Sequence, residues 1–326
     1  MSRLLPALCA ALACAPPVFA DAPRFKAVVI EPQAGYQHAS AGKVNDHGDF
    51  CVVQVGAEHH VSLWLHGSGF MEIPAPANRL ITACNGLNDT DSVVGEVPGG
   101  AFFWSPARGW IDIPPPAGYE LITPDALNDR DEVVGTVARA AEPHHTRAFS
   151  WTPASGLRLL DARTASEAAS VNEAGVIAFD LQRDGQFEAG LFAHGKVHAV
   201  GSAGPITSTF AVDLNAAGQM AVNAVGGPIP YQAGFWSRET GLVAIYGAQF
   251  AQAIDASGNV LVRTNDNVSA FWGAGYGLVR IANAVAEMGK PVTNLVAFDM
   301  SPAGVAAGAG TVDGVDCAVL FVPLRP

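Results

Sequence analysis

Short runs that alternate apolar and polar residues fill this chain from residue 25 onward, and Gly, Asn, Asp and Pro interrupt them at near-regular intervals. Period-two alternation broken this often predicts strands and tight turns, and no helical 3.6-residue stripe competes with it. One turn-like element recurs. It stands at Asn45-Asp46-His47-Gly48, Asn88-Asp89-Thr90-Asp91, Asn128-Asp129-Arg130-Asp131 and Asn172-Glu173-Ala174-Gly175. It continues at Asn215-Ala216-Ala217-Gly218 and Asp255-Ala256-Ser257-Gly258, with Ser301-Pro302-Ala303-Gly304 as a degenerate last copy. Successive copies lie 40 to 46 residues apart.

A second landmark keeps the same register. About twenty residues after each turn comes an aromatic: Trp64, Trp104, Trp151, Phe192, Trp236, Trp272 and Phe321. Each period then reads as four strands. Strand a ends at the Asn, strand b is the apolar run after the turn, strand c carries the aromatic, and strand d follows a Gly-containing turn. Four strands in about 43 residues is the blade of a β-propeller. The expected fold is therefore all-β, a seven-bladed propeller. The seventh copy lacks strand d, while Phe25–Ile30 is a spare apolar segment ahead of the first strand a. The ring is expected to close by pairing that N-terminal strand into the last blade, leaving no open edge between blades.

The pattern Ala-x-x-x-Asn-x-x-Gly-x-Val-Val-Gly, then Ala-Phe-x-Trp, then Gly-x-x-x-Leu resembles the HAF-type bacterial extracellular repeat. Its best copies are Ala126-Leu127-Asn128 through Val133-Val134-Gly135, Ala148-Phe149-Ser150-Trp151 and Ala101-Phe102-Phe103-Trp104. The resemblance spans nearly all of residues 24–323 and weakens in copies four to seven, where Val-Val-Gly is lost except for Gly308. It implies export and fold, and no reaction, because the family carries no agreed catalytic motif.

Composition fits this reading. Of 326 residues, 35 are Gly and 22 Pro, and only 15% are charged, which suits many short strands and turns. Arg3, the apolar run Leu4–Ala15 and the small residues before Asp21 predict a signal peptide over 1–20, with the propeller occupying 21–326. The expected location is the periplasm or the medium. No later segment is apolar and long enough to span a bilayer. The formal net charge is −12, and losing the leader with its one Arg makes it more negative. That argues against nucleic acid and anionic lipid as partners; a monomer is expected. Cys51, Cys84 and Cys317 follow the leader. The blade assignment separates Cys84 from Cys317, so any bridge must involve Cys51, and three buried thiols are the expectation.

Enzyme signatures are absent: there is no His-Glu-x-x-His, no phosphate-binding loop and no Gly-x-Ser-x-Gly. No catalytic residue, metal ligand or cofactor is assigned. His59-His60 and His144-His145 fall between strands b and c of blades 1 and 3 and read as solvated loop histidines rather than a shared metal site. The acidic turns read as hairpin turns, since calcium needs six or more converging oxygens. The five Trp landmarks read as packing between blades rather than a sugar-binding ladder.

The axis is the place to look for function. Two residues before each turn stand Lys43, Gly86, Ala126, Ser170, Asp213, Ala253 and Asp299. Most are small, as crowding demands; Lys43, Asp213 and Asp299 are not. One residue earlier, Asn85, Asp125 and Gln252 are also polar. Lys43 and Asp299 should pair across the closure, with Asp213 lining the same channel. These six residues, Lys43, Asn85, Asp125, Asp213, Gln252 and Asp299, form the candidate ligand site. The sequence is read as an exported binding or interaction module for a glycan, peptide or envelope partner. The alternative is a hydrolase or lyase acting on an extracellular polymer through axial carboxylates.

Overall fold

The computed structural model describes residues 22–77, 79–160, 164–201, 206–226 and 231–324, so residues 1–20, expected to be a signal peptide, lie outside the described residues. It is a seven-bladed β-propeller. The inner strands, a, of blades 1 to 7 are His38–Val44, Ala83–Leu87, Leu121–Leu127, Ser166–Val171, Ile206–Leu214, Ala248–Ile254 and Thr293–Met300. Each leads into an antiparallel meander b–c–d. In blade 7, strands b and c are Ala306–Val312 and Val315–Pro323, and the outer strand is Phe25–Ile30. That strand pairs antiparallel with strand c from Phe25↔Pro323 to Ile30↔Ala318. The closure expected from the sequence is therefore present.

Blade 7 also carries an element the repeat does not announce. A helical turn, Ile281–Ala284, follows blade 6 and leads into Val285–Met288, a fifth strand that runs parallel to Phe25–Ala27 on the outer edge. The insertion covers the edge of a strand that no hairpin joins to its blade, which is how sheet proteins protect such an edge.

The core lies between blades. Among the described residues the buried apolar side chains form seven clusters, and each spans one blade interface. Phe103 of blade 2 meets Trp151 of blade 3 at 5.4 Å between ring centroids, and Phe235 of blade 5 meets Trp272 of blade 6 at 5.5 Å. The Trp landmarks thus pack between blades. Phe25 closes the ring in the same manner, stacking on Phe271 of blade 6 at 4.6 Å. The Gly of Val-Val-Gly has a steric cause: a Cβ at Gly95, Gly135 or Gly308 would strike the carbonyl of Ala83, Thr123 or Val296 on strand a of the same blade.

The cysteines depart from the expectation of three thiols but keep to the constraint that any bridge involves Cys51. Cys51 and Cys84 form a disulfide, with Cα atoms 6.3 Å apart, and Cys317 is a buried free thiol. Cys51 sits on strand b of blade 1 and Cys84 on strand a of blade 2, so the bond ties adjacent blades. Spacing alone does not reveal that both thiols reach one level of one interface. Reducing this bond should lower stability by about 3 kcal/mol, read as a drop in urea midpoint between untreated protein and protein held in reductant.

Candidate functional site

The recurring Asn has two roles, one within its own turn and one between blades. Its Oδ1 accepts the backbone N–H groups two and four residues on, as Asn128 does from Arg130 and Glu132 at 3.1 and 3.0 Å. Its Nδ2 donates to the backbone carbonyl of the equivalent residue in the next blade. The chain runs Asn45→Asn88, Asn88→Asn128, Asn128→Asn172, Asn172→Asn215 and Asn215→Asp255, all at 3.0 to 3.1 Å. These side chains are buried. Asp255 and Ser301, lacking an amide, end the series at blades 6 and 7, where the Ala256 N–H donates to the Pro302 carbonyl at 2.9 Å instead.

The residue after each Asn adds an outer arc. Asp89 accepts the Asp46 N–H at 2.8 Å, Asp129 that of Asp89 at 2.8 Å, and Glu173 that of Asp129 at 2.9 Å. Asp46 accepts the Ala303 N–H at 2.7 Å, because Pro302 has no N–H to offer. Four carboxylates therefore rim the turn face across blades 1 to 4. Partial burial raises the Asp89 and Glu173 carboxyls, with their acidic neighbours adding to the rise.

Inside this rim lies an axial cavity of about 240 Å³, lined by all seven inner strands. The strands reach it through a shared irregularity. Each breaks register just before its turn, at Gly42-Lys43, Asn85, Asp125, Ala169, Val212, Gln252 and Phe298. A bulge leaves its residue unpaired and re-aims side chains, which explains why two successive positions on each strand matter at the axis.

Five of the six candidate residues line this cavity: Lys43, Asn85, Asp213, Gln252 and Asp299. Lys43 Nζ lies 3.3 Å from Asp299 Oδ1, across the closure and 256 residues apart in sequence. The Asp299 charge holds the lysine above its ordinary range against the opposing effect of burial, and Asp213 adds to the hold. Asp299 Oδ2 also accepts the Val44 N–H at 3.0 Å. Asp213 has an equivalent bracing role in blade 5. Its Oδ1 accepts from Ser170 Oγ at 2.7 Å and its Oδ2 from the Ile254 N–H at 2.9 Å, so it braces blades 4, 5 and 6. Burial raises its carboxyl, and those donors oppose the rise. Both carboxylates are thus occupied by the scaffold. Asn85 Nδ2 is likewise held, by Glu96 at 2.9 Å and the Pro124 carbonyl at 2.7 Å. Gln252 Oε1 and Ser301 Oγ are buried without a hydrogen-bond partner among the described residues.

Asp125 stands apart and is not in the cavity lining. Burial, then the charges of Glu167 and Glu96, push its carboxyl up to about 7, with Lys43 opposing. A carboxyl raised on folding supports the fold most below the ordinary carboxylate range, near 4, and that support is lost as pH rises toward 7. Asp125→Asn should therefore flatten the fall in urea midpoint between pH 4 and 7. Parallel pH profiles for the variant and the parent would show that Asp125 ionises normally.

The histidine pairs begin strand c in blades 1 and 3 rather than lying in loops. His60 is held by Glu72 at 2.8 Å and His145 by Glu142 at 3.3 Å, and no group of three or more His, Cys, Asp or Glu is placed to hold a metal among the described residues.

No family model matches the chain, and no curated protein matches it. Solved structures do. An oligogalacturonate lyase in complex with manganese shares 10% identity at a TM-score of 0.65, covering 93% of this chain and 97% of the other. A virginiamycin B lyase from Staphylococcus aureus shares 11% at 0.57, covering 92% and 100%. YCF48 bound to D1 peptide shares 9% at 0.54, covering 94% and 99%. At these identities the likeness shows the fold alone.

Proposed function

We propose that this chain is an exported binding module of the HAF-repeat type that seats a small neutral polyhydroxylated ligand, such as a sugar end, in the axial cavity. The observation that carries this reading is the contrast inside the cavity. Asp213 and Asp299 are spent on bracing inner strands, whereas Gln252 Oε1 has no partner among the described residues and Lys43, with one carboxylate beside it, keeps donors to spare. Hydroxyl groups donate to the first and accept from the second. The acidic rim disfavours anions. Export is supported by the inter-blade disulfide, a bond that persists in oxidising compartments.

Thermal shift against neutral mono- and disaccharides tests this. At least one should raise Tm, Gln252→Ala should remove the shift while keeping the parent's own Tm within about 2 °C, and Lys43→Met should weaken binding and also lower stability. A panel that shifts nothing, or shifts the variants equally, would defeat the proposal.

One observation favours a second reading. Asp125 lies close enough to Glu167 and Glu96 for their charges, with burial, to raise its carboxyl, so a polymer hydrolase or lyase working through axial carboxylates would use this acidic group as its proton donor. That reading requires turnover of an extracellular polysaccharide with a pH limb near 7 that vanishes in Asp125→Asn.

A further inference from the structure

The loop face, opposite the Asn ring, carries a groove of about 340 Å³ between blades 3 and 4. We infer that it is a second binding site, for a carbohydrate bearing an isolated carboxylate, with Arg147 and Arg139 as the carboxylate-recognising residues. It stands independently of the axial cavity.

Two guanidinium groups line this one groove in a strongly acidic protein. Arg139 is fixed from three sides. Its Nε donates to the Gly118 carbonyl at 3.3 Å, its guanidinium lies 5.7 Å from the centre of the Tyr119 ring, and Glu142 stands 3.7 Å away. Glu142 is shared with His145 at 3.3 Å. Arg147 is half-buried and donates to the carbonyl of its own neighbour, Thr146, at 2.8 Å; no carboxylate lies within ion-pair distance of it among the described residues. The other acid of the groove, Asp184, sits on the left-handed turn of the blade 4 hairpin and pairs with neither arginine. A partly desolvated guanidinium held beside a second one favours an anion, and the planar fork matches a carboxylate with two parallel bonds. Gln182, also in the lining, supplies both a donor and an acceptor for hydroxyls.

Aromatic rings continue from the groove along the same face. Phe187, two residues beyond the groove-lining Gly185, packs on Phe210 at 5.4 Å across the interface of blades 4 and 5. Tyr231 packs on Phe250 at 5.2 Å across the next interface, and Tyr231 and Tyr246 are 44% and 81% exposed. The half-buried Phe187 and Phe210 at the neighbouring interface, with the exposed tyrosines one interface further on, offer ring faces that suit the flat apolar faces of sugar rings. The net charge of −12 disfavours a dense polyanion, so the charge recognised is a sparse one.

The test is a titration of the full chain with methyl glucuronoside and with methyl glucoside, which differ in the carboxylate, followed by NMR or calorimetry. The uronoside should bind about ten-fold more tightly, and the preference should weaken with added salt. Arg147→Ala should abolish it while leaving the urea midpoint unchanged; Arg139→Ala should reduce it. Equal binding of the two glycosides, binding of neither at tens of millimolar, or a preference that survives Arg147→Ala would overturn the proposal. So would a peptide with a free C-terminal carboxylate binding Arg147 where the uronoside does not.

Discussion

Removing residues 21–31 should abolish the cooperative unfolding transition of the whole ring rather than loosen one blade. The segment supplies the outer strand of blade 7, pairing along six residues with strand c, and its side chains enter two interface clusters. Phe25 and Ala27 pack toward blade 6, and Ile30 toward blade 1. Without them the last blade loses its outer strand and the fifth strand Val285–Met288 loses its sheet partner. A single Phe25→Ala, at a fully buried ring stacked on Phe271, should alone cost about 3–5 kcal/mol. Urea unfolding followed by both far-UV circular dichroism and Trp fluorescence checks this. A truncated chain with one sharp, coincident transition near the parent midpoint would show that closure is dispensable.

That closure was legible in the sequence because it rests on counting: three strands at one end and one spare at the other. The blade pattern was legible because its signals are local, an Asn turn and an aromatic in fixed register. Lys43 with Asp299 was legible for the same reason, since equal register in adjacent blades implies equal depth. What escaped depends on groups without a local signature. The partners of Asp213 and Asp299 are backbone N–H groups of Ile254 and Val44, and any residue but proline supplies those. The bulge before each turn leaves no mark in residue type. The Cys51–Cys84 bond needs the relative height of two strands, and the fifth strand belongs to an insertion outside the repeat.

The Asn series is where repeat and stability meet, and Asn128→Ala should be among the most damaging single changes outside the apolar core. It removes two bonds within the turn and one to Asn172, all in a buried side chain. The loss should be about 3 kcal/mol, because the stranded N–H and carbonyl groups lose partners that water cannot easily replace. Asp129→Ala, one residue on, deletes an exposed acceptor for the Asp89 N–H and should cost about 1 kcal/mol or less. Comparing the two urea midpoints separates the inter-blade ring from the outer acidic arc. Equal effects would mean that the Asn amides do not tie the blades together.

Asn ring, interface clusters and closing strand all serve to hold seven inner strands around one polar cavity, which we propose is a ligand seat. A crystal structure of the protein soaked with the neutral sugar that gives the largest thermal shift would decide this. Sugar density is expected on the axis, with a hydroxyl donating to Gln252 Oε1, another accepting from Lys43 Nζ, and Asp213 still holding the Ile254 N–H. A sugar bound elsewhere, with only water on the axis, would contradict it.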